Sequence, residues 1–191
     1  MDTNLAYKEE IWEELIGGRL VAMSPRPSVN HSRISSNIYS IFRSFLNGKK
    51  CEAFPDGVDL YLSDTEQYIP DGMVVCDPDK VKPDGVHGAP DLVVEILSPR
   101  TAKYDRKIKK DVYETCGVRE YWIVDPAAKS IEQYLSENGR FTLRDVFTVY
   151  PDWMLEKMTD EEKAEVVTGF RCSLYDDLII RLDDVFYRVD E

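Results

Sequence analysis

Residues 90–109 read PDLVVEILSPRTAKYDRKIK: an acid, Glu95, sits inside an apolar run, and a dense basic cluster follows at once. Asp91–Leu97 has strand composition, with β-branched and aliphatic residues bounded by Pro90 and by Ser98-Pro99. The two-residue period of a strand sends Leu92, Val94 and Ile96 to one face, and Asp91, Val93, Glu95 and Leu97 to the other. Neither face is polar throughout, which predicts a strand covered on both sides. A carboxylate buried in such a strand is costly unless a cation, a metal or hydrogen-bond donors compensate it. Glu95 is therefore either ion-paired with one of the basic residues that follow or part of a site.

The chain of 191 residues is long enough for one domain with a real core, and its 43% hydrophobic content suits a globular protein. A single domain over residues 1–191 is expected, with a core over about 10–150 and an acidic extension over about 151–191. The apolar runs are far shorter than a membrane span, and the start, MDTNLAYKEEIWEEL, is charged where a secretory signal is apolar. These features predict a cytoplasmic protein with no membrane partner. Cys51, Cys76, Cys116 and Cys172 are scattered without a CxxC pair and read as buried free thiols. With His31 and His87 both remote from cysteines, a structural zinc site is not expected.

Lys and Arg number 24 against 36 acids, a net charge of −12, which disfavours coating nucleic acid by bulk attraction. The excess is uneven: residues 151–191 carry twelve acids and five Lys or Arg. By contrast Arg100, Lys103, Arg106, Lys107, Lys109 and Lys110 surround the single acid Asp105. Such a run is either a solvated helix face or a surface for an anion.

The elements alternate in α/β order. A short helix is expected over residues 6–16 and a strand over Arg19–Met23 after the Gly17-Gly18 turn. A helix capped by Ser28 or Asn30 should run to about Leu46 with an Ile34, Ile38, Phe42, Phe45 stripe. Strands follow at 58–62 and 72–76, then a loop over 77–90, the Glu95 strand, and a helix over 105–116 stopped at Gly117. Further strands are expected at 120–125, 131–135 and 140–147, and an acidic surface helix over 152–166. This order predicts a mixed central sheet flanked by helices, with further C-terminal strands.

Two features complete a candidate site. Ile69-Pro70-Asp71 places a second carboxylate at the mouth of a strand, and two acids on neighbouring strands can supply the oxygen ligands that Mg²⁺ needs. On the helix after Glu95, Asp105, Lys109 and Tyr113 recur every four residues, and Ile108, Val112 and Cys116 mark an adjoining side expected to face the core. Lys109 is thereby placed at the boundary of core and solvent, from which its ammonium can snorkel toward the carboxylates. There it would orient water and neutralise charge on a phosphoryl group; alternatively it forms a plain i,i+4 pair with Asp105.

The segments ELIGGRLVAMSPRPSVNH (14–31), IPDGMVVCD (69–77) and GAPDLVVEILSPRTAKYDRKIKKDVYETCGVREYWIVDP (88–126) resemble the Uma-type restriction endonuclease family of the PD-(D/E)xK nuclease superfamily. The resemblance covers most of residues 10–150, with a looser match near Leu178–Phe186. It implies a restriction-endonuclease-like core of helix, three strands, helix and strand. It makes Asp71 the motif aspartate and Glu95 the acidic member of (D/E)xK. Leu97 occupies the usual lysine position, so the resemblance moves that role to Lys109 on the next helix. It also implies a Mg²⁺ or Mn²⁺ ion held by Asp71, Glu95 and the backbone carbonyl of Ile96. His31 matches a recurrent family histidine, and is either a metal ligand or base or a capping or core histidine. Gly17, Arg19 and Gly72 depart from the family pattern, and residues 151–168 are an added acidic segment.

The expectation is therefore a metal-dependent endonuclease acting on DNA. Lys103, Arg106 and Lys107 would grip the backbone, and Tyr113 is a further candidate. A homodimer would suit the cutting of both strands. A nuclease-fold binding module that no longer cleaves, or a hydrolase of a small phosphodiester or nucleotide, are the other readings. No GxxxxGK[ST] phosphate loop is present.

Overall fold

The computed structural model describes residues 13–22 and 27–190. The described chain opens with a hairpin of β1 (Glu13–Ile16) and β2 (Arg19–Ala22) turned at Gly17-Gly18. The last four residues expected as helix are therefore strand, and the rest of that expectation lies outside the described residues. The neighbours override helix propensity here: Glu13–Ile16 pairs with β2 along its whole length, and Leu15 also pairs with Gln67.

Helix α1 (Val29–Phe45) begins where Ser28 Oγ accepts the His31 amide at 3.2 Å, and it buries Ile34, Ile38 and Phe42 as the spacing predicts. It leads into β3 (Glu52–Pro55), β4 (Leu60–Ser63), β5 (Glu66–Tyr68) and β6 (Gly72–Val75). The expected loop over 77–90 contains a 3₁₀ turn at Pro78–Lys80 and two short strands, β7 (Val81–Lys82) and β8 (Gly85–His87). Gly85 has φ +145°, and a Cβ there would stand 2.5 Å from the Asp59 carbonyl, so only glycine lets β8 approach the entry to β4.

The stretch that opened the sequence reading is β9 (Leu92–Ile96). After it come a π-helical turn over Tyr104–Lys109, α2 (Lys110–Cys116), β10 (Glu120–Asp125), β11 (Ser130–Glu137) and β12 (Arg140–Thr148). Gly117, at φ +91°, ends α2 in the left-handed conformation. The acidic helix expected over 152–166 is two short exposed helices, α3 (Asp152–Leu155) and α4 (Asp160–Ala164). The described chain then forms β13 (Gly169–Arg171), β14 (Ile179–Arg181) and α5 (Leu182–Val185).

A mixed central sheet has the order β12-β11-β10-β9-β6-β3, with β9 and β10 parallel and every other pair antiparallel. A second mixed sheet has the order β2-β1-β5-β4-β8-β7. Leu92, Val94 and Ile96 pack with α1 and with Phe170, Ile180 and Val185 of the C-terminal segment. Val93 and Leu97 pack on the opposite side with Tyr113, Tyr121 and the second-sheet residues Leu60, Tyr68 and Val86. The period-two reading of β9 thus holds on both faces. The order α1, β3, β6, β9, α2, β10 is the helix, three strands, helix and strand that the resemblance implies. Among the described residues no helix is long and apolar enough to cross a membrane.

The expectation of four free thiols is overturned. Cys51 and Cys76 form a disulfide, whereas Cys116 and Cys172 are free. The β3–β6 ladder pairs Glu52 with Val75, which sets the two flanking cysteines opposite each other with Cα atoms 3.9 Å apart. Their separation of 25 residues hides this from any spacing rule. Within the C-terminal segment, Cys172 and Ile180 are fully buried against the α1 face.

Candidate functional site

β6 and β9 run antiparallel with Gly72 opposite Val94, so the residue entering β6 lies beside the end of β9. Asp71 Oδ2 accepts the Ile96 amide at 2.6 Å, and Ser35 Oγ on α1 donates to the Asp71 carbonyl at 2.9 Å. The aspartate is thereby clamped between α1 and β9. Its Oδ1 faces His31 Nε2 at 3.1 Å, from the first turn of α1. The N–H and C=O of one strand residue project to the same edge, so the Ile96 carbonyl faces the Asp71 side as well.

Glu95 points to the opposite face of β9 from its neighbour Ile96 and is buried. Its Oε1 accepts from Lys109 Nζ at 3.1 Å and from Tyr113 OH at 2.7 Å, whereas among the described residues no hydrogen bond reaches Oε2. Lys109 Nζ also donates to Glu14 Oε1 at 2.8 Å and lies 3.8 Å from Asp105 Oδ1. Glu14 Oε1 in turn accepts the Ile69 amide at 3.1 Å, two residues before Asp71.

Lys109 is 4% exposed, so it does not snorkel from the boundary: it is inside. The helix presents Asp105, Lys109 and Tyr113 as its buried face, while Ile108, Val112 and Cys116 are only half-buried. The apolar side expected to face the core is thus the lesser one. Lys109 and Tyr113 of this series are buried against the acids that accept their hydrogen bonds, and the π turn over Tyr104–Lys109 sets Asp105 and Lys109 on one side.

The electrostatics follow from the count of groups. Burial pulls the Lys109 ammonium down, but Glu95, Glu14 and Asp105 outweigh it and hold the lysine charged. One ammonium cannot serve every acid around it. Burial pushes Glu95 well above the carboxylate range, with Asp105, Asp71 and Glu14 adding to the effect against Lys109. Burial likewise takes Asp105 up to about 6, opposed by Lys109 and by a bond from Thr101. Asp56 is raised by burial and then by Asp71. Burial lowers His31, yet the hydrogen bond and charge of Asp71 prevail and leave it raised.

Apart from Asp105, these groups line one cavity of about 730 Å³, walled by the β1–β2 hairpin, the start of α1, the segment from Ile96 to Arg106 and residues 125–127. Asp71, Glu95, Lys109, His31 and Ile96 all line it, as do Glu14 and Asp56. Of the cationic grip, Arg106 reaches the cavity but is engaged by Glu132 at 2.8 Å and Asp125 at 3.8 Å, whereas Lys103 and Lys107 are exposed outside the lining. Tyr113 lies behind Glu95 as a support.

Among the described residues, no three of His, Cys, Asp and Glu form a ready metal cage. Magnesium sites need fewer protein ligands, typically one or two carboxylates completed by water and phosphate. The donor set fits such an ion. Acid oxygens outnumber cations, Glu95 Oε2 takes no hydrogen bond from a described residue, and Asp105 Oδ1 and His31 Nδ1 are buried without hydrogen-bond partners. If an ion binds here, Asp71, Glu95 and the Ile96 carbonyl would be the groups to hold it.

Glu14, Asp56 and Asp105 are members of the site that the sequence reading did not assign to it. Asp105 was legible in the same four-residue series as Lys109. Glu14 was hidden because EEIWEELI reads as helix, and Asp56 because a Pro-Asp-Gly turn reads as ordinary loop chemistry.

The chain was compared with known proteins. A family model described as "Putative restriction endonuclease", Uma2, matches residues 5–165. The chain is 34% identical over 123 residues to the uncharacterized protein slr1290 of Synechocystis sp., covering 63% of this chain and 64% of that protein. It is 25% identical over 161 residues to the uncharacterized protein sll1609 of Synechocystis sp., covering 82% and 84%. The match therefore spans just under two thirds of the first relative's length. The crystal structure of a putative nuclease belonging to DUF820 from Anabaena variabilis aligns with a TM-score of 0.68 at 20% identity, over 91% of this chain and 89% of that one. That likeness establishes a shared fold.

Proposed function

This chain belongs to the Uma2 putative restriction endonuclease family, and from that premise we propose that it is a divalent-metal-dependent endonuclease of PD-(D/E)xK type that hydrolyses DNA phosphodiester bonds. The observation that carries the reading is a cavity lined by Asp71, Glu95, Glu14 and Lys109, with Glu14, Glu95 and Asp105 gathered around the Lys109 ammonium and Asp71 held beside the end of β9. Mg²⁺ or Mn²⁺ held by Asp71, Glu95 and the Ile96 carbonyl would polarise the phosphoryl group and activate water.

The chain's own groups do the rest. Hydrolysis adds the hydroxyl of water to phosphorus, breaks a phosphorus–oxygen ester bond and delivers a proton to the leaving oxygen. Lys109, held charged, orients the water by hydrogen bonding and offsets negative charge at the phosphate. Tyr113 and Glu14 fix Lys109 and Glu95, and His31 fixes Asp71 through Nε2. Lys103 and Lys107 are free of ion pairs among the described residues and suit backbone contacts, while Arg106 first has to leave Glu132 and Asp125. Two copies would place two sites on a duplex, and a homodimer belongs to this reading.

The test is cleavage of supercoiled plasmid and of single-stranded DNA with Mg²⁺ or Mn²⁺, comparing the native chain with Asp71→Ala. Loss of a metal group from the site is expected to reduce the rate by more than about a hundredfold. Equal rates for the two proteins would refute the assignment. A second reading, hydrolysis of a small phosphodiester, is favoured by the net charge of −12, which repels long nucleic acid. Turnover of bis(p-nitrophenyl) phosphate without any oligonucleotide binding would select it.

A further inference from the structure

The candidate groups are recessed. Glu95 is 3% exposed and Lys109 4%, and the cavity leading to them holds about 730 Å³, within the range of small-ligand sites of about 300–1,000 Å³. A rigid duplex is far wider than such a space, since its major groove alone is about 12 Å across and admits a whole helix. A phosphate locked in double-helical geometry is therefore held away from Asp71 and Glu95, whereas an unpaired strand can bend into the cavity.

The mouth of the cavity has the chemistry that unpaired strands use. Tyr104, the first residue of the π turn, is 37% exposed and lines the opening, so its ring is available for stacking on a base. Arg100 is exposed on the same rim and forms no ion pair with a described residue. Pro99, Ala102 and Pro126 add apolar lining to the same cavity. An aromatic platform beside a cation, over a groove that tracks the backbone, is how single strands are held without sequence readout. The overall charge of −12 points the same way, because a protein that neutralises few phosphates gains little from a long duplex.

On the reading that this cavity is a nuclease site, we infer that its substrate is an unpaired nucleic-acid strand or single-stranded end, with a base stacked on Tyr104 and a backbone phosphate on Arg100. The interaction is sequence-tolerant, and duplexes are substrates only where they fray or carry an unpaired flap.

Fluorescence anisotropy tests this with the full chain in EDTA, where hydrolysis does not intervene. The probes are labelled oligo-dT and the same strand annealed to oligo-dA. Oligo-dT is expected to bind at least about tenfold more tightly, a difference of roughly 1.4 kcal/mol. Tyr104→Ala should weaken single-strand binding roughly fivefold to a hundredfold, the range for loss of one base–aromatic stack, and Tyr104→Phe should restore it. Because Tyr104 is on the surface, neither change threatens the fold, and Arg100→Ala provides an independent loss. Duplex binding as tight as single-strand binding overturns the inference, as does binding of neither probe or indifference to Tyr104→Ala. Cleavage of the same probes with Mn²⁺ separates the two ideas. A single strand that is bound but never cut leaves the strand preference standing and sinks the nuclease reading; a duplex cut as fast as the single strand does the reverse.

Discussion

Among the described residues Lys109 is the only cation in the buried charged set, and its neighbours show what that costs. Glu14 and Glu95 take its hydrogen bonds, which leaves Asp105 with a long contact at 3.8 Å and no hydrogen-bond partner for Oδ1. Asp105 thus binds a proton more readily in the folded protein, at about 6, than the ordinary value of 3.8. Between those values the native state holds a proton that the unfolded chain has released, so stability falls as pH rises through the window. About two pH units correspond to roughly 3 kcal/mol for this one group. Urea unfolding in EDTA from pH 4 to 7 should show that decline, and Asp105→Asn should make it shallower, leaving the part that the raised Glu95 and Asp56 carboxyls contribute. A native chain whose stability rises steadily over the window, with no difference from the variant, would show that the carboxyl is not perturbed. The same residue-scale crowding explains what was legible. Glu95 stood out because a carboxylate interrupts an aliphatic strand, and Lys109 because it shares a helix side with Asp105. Glu14 gave no such signal, since it is one of several glutamates in a segment with helical composition.

At the scale of elements, β9 was readable because each of its faces is apolar where it meets a different layer. Helix α1 was readable from its apolar stripe and its Ser28 cap, and α2 from its stop at Gly117, although the apolar side of α2 is not its most buried one. The short strands β3, β5, β7 and β8 were not, because they exist through pairing rather than local preference. Pairing also explains the Cys51–Cys76 bridge, which ladder register creates and no spacing announces. The attachment of the C-terminal segment rests on a buried acid. Glu120 Oε1 accepts Trp122 Nε1 and Gln133 Nε2, both at 2.6 Å, while Oε2 accepts the Ser173 amide at 2.7 Å and its hydroxyl. These donors join β10 and β11 to the turn after β13, on the α1 side of the sheet. Glu120→Ala would strand several buried donors and should cost more than about 3 kcal/mol, with residues after 168 becoming the first site of proteolysis. Urea unfolding and limited trypsinolysis check this; unchanged stability would mean that the segment is held by apolar packing alone.

For the whole molecule, the central sheet separates two tasks. One face, with α1 and the C-terminal segment, is a continuous apolar core. The other carries α2, the second sheet and an aromatic cluster of Tyr68, Tyr113 and Tyr121 behind the acids. The site opens where β6 begins and β9 ends, so Asp71 enters from one strand and Glu95 from the next, while the β1–β2 hairpin supplies Glu14 from the second sheet. The net charge of −12 read from the sequence proves less informative than its placement, since the decisive acids face one another inside a cavity. A divalent cation is the simplest partner for that arrangement. Isothermal titration with Mn²⁺ at neutral pH tests this most directly: one ion should bind per chain, and Asp71→Ala and Glu95→Gln should each weaken it by more than about tenfold. Mn²⁺ affinity unchanged by both substitutions would contradict the account.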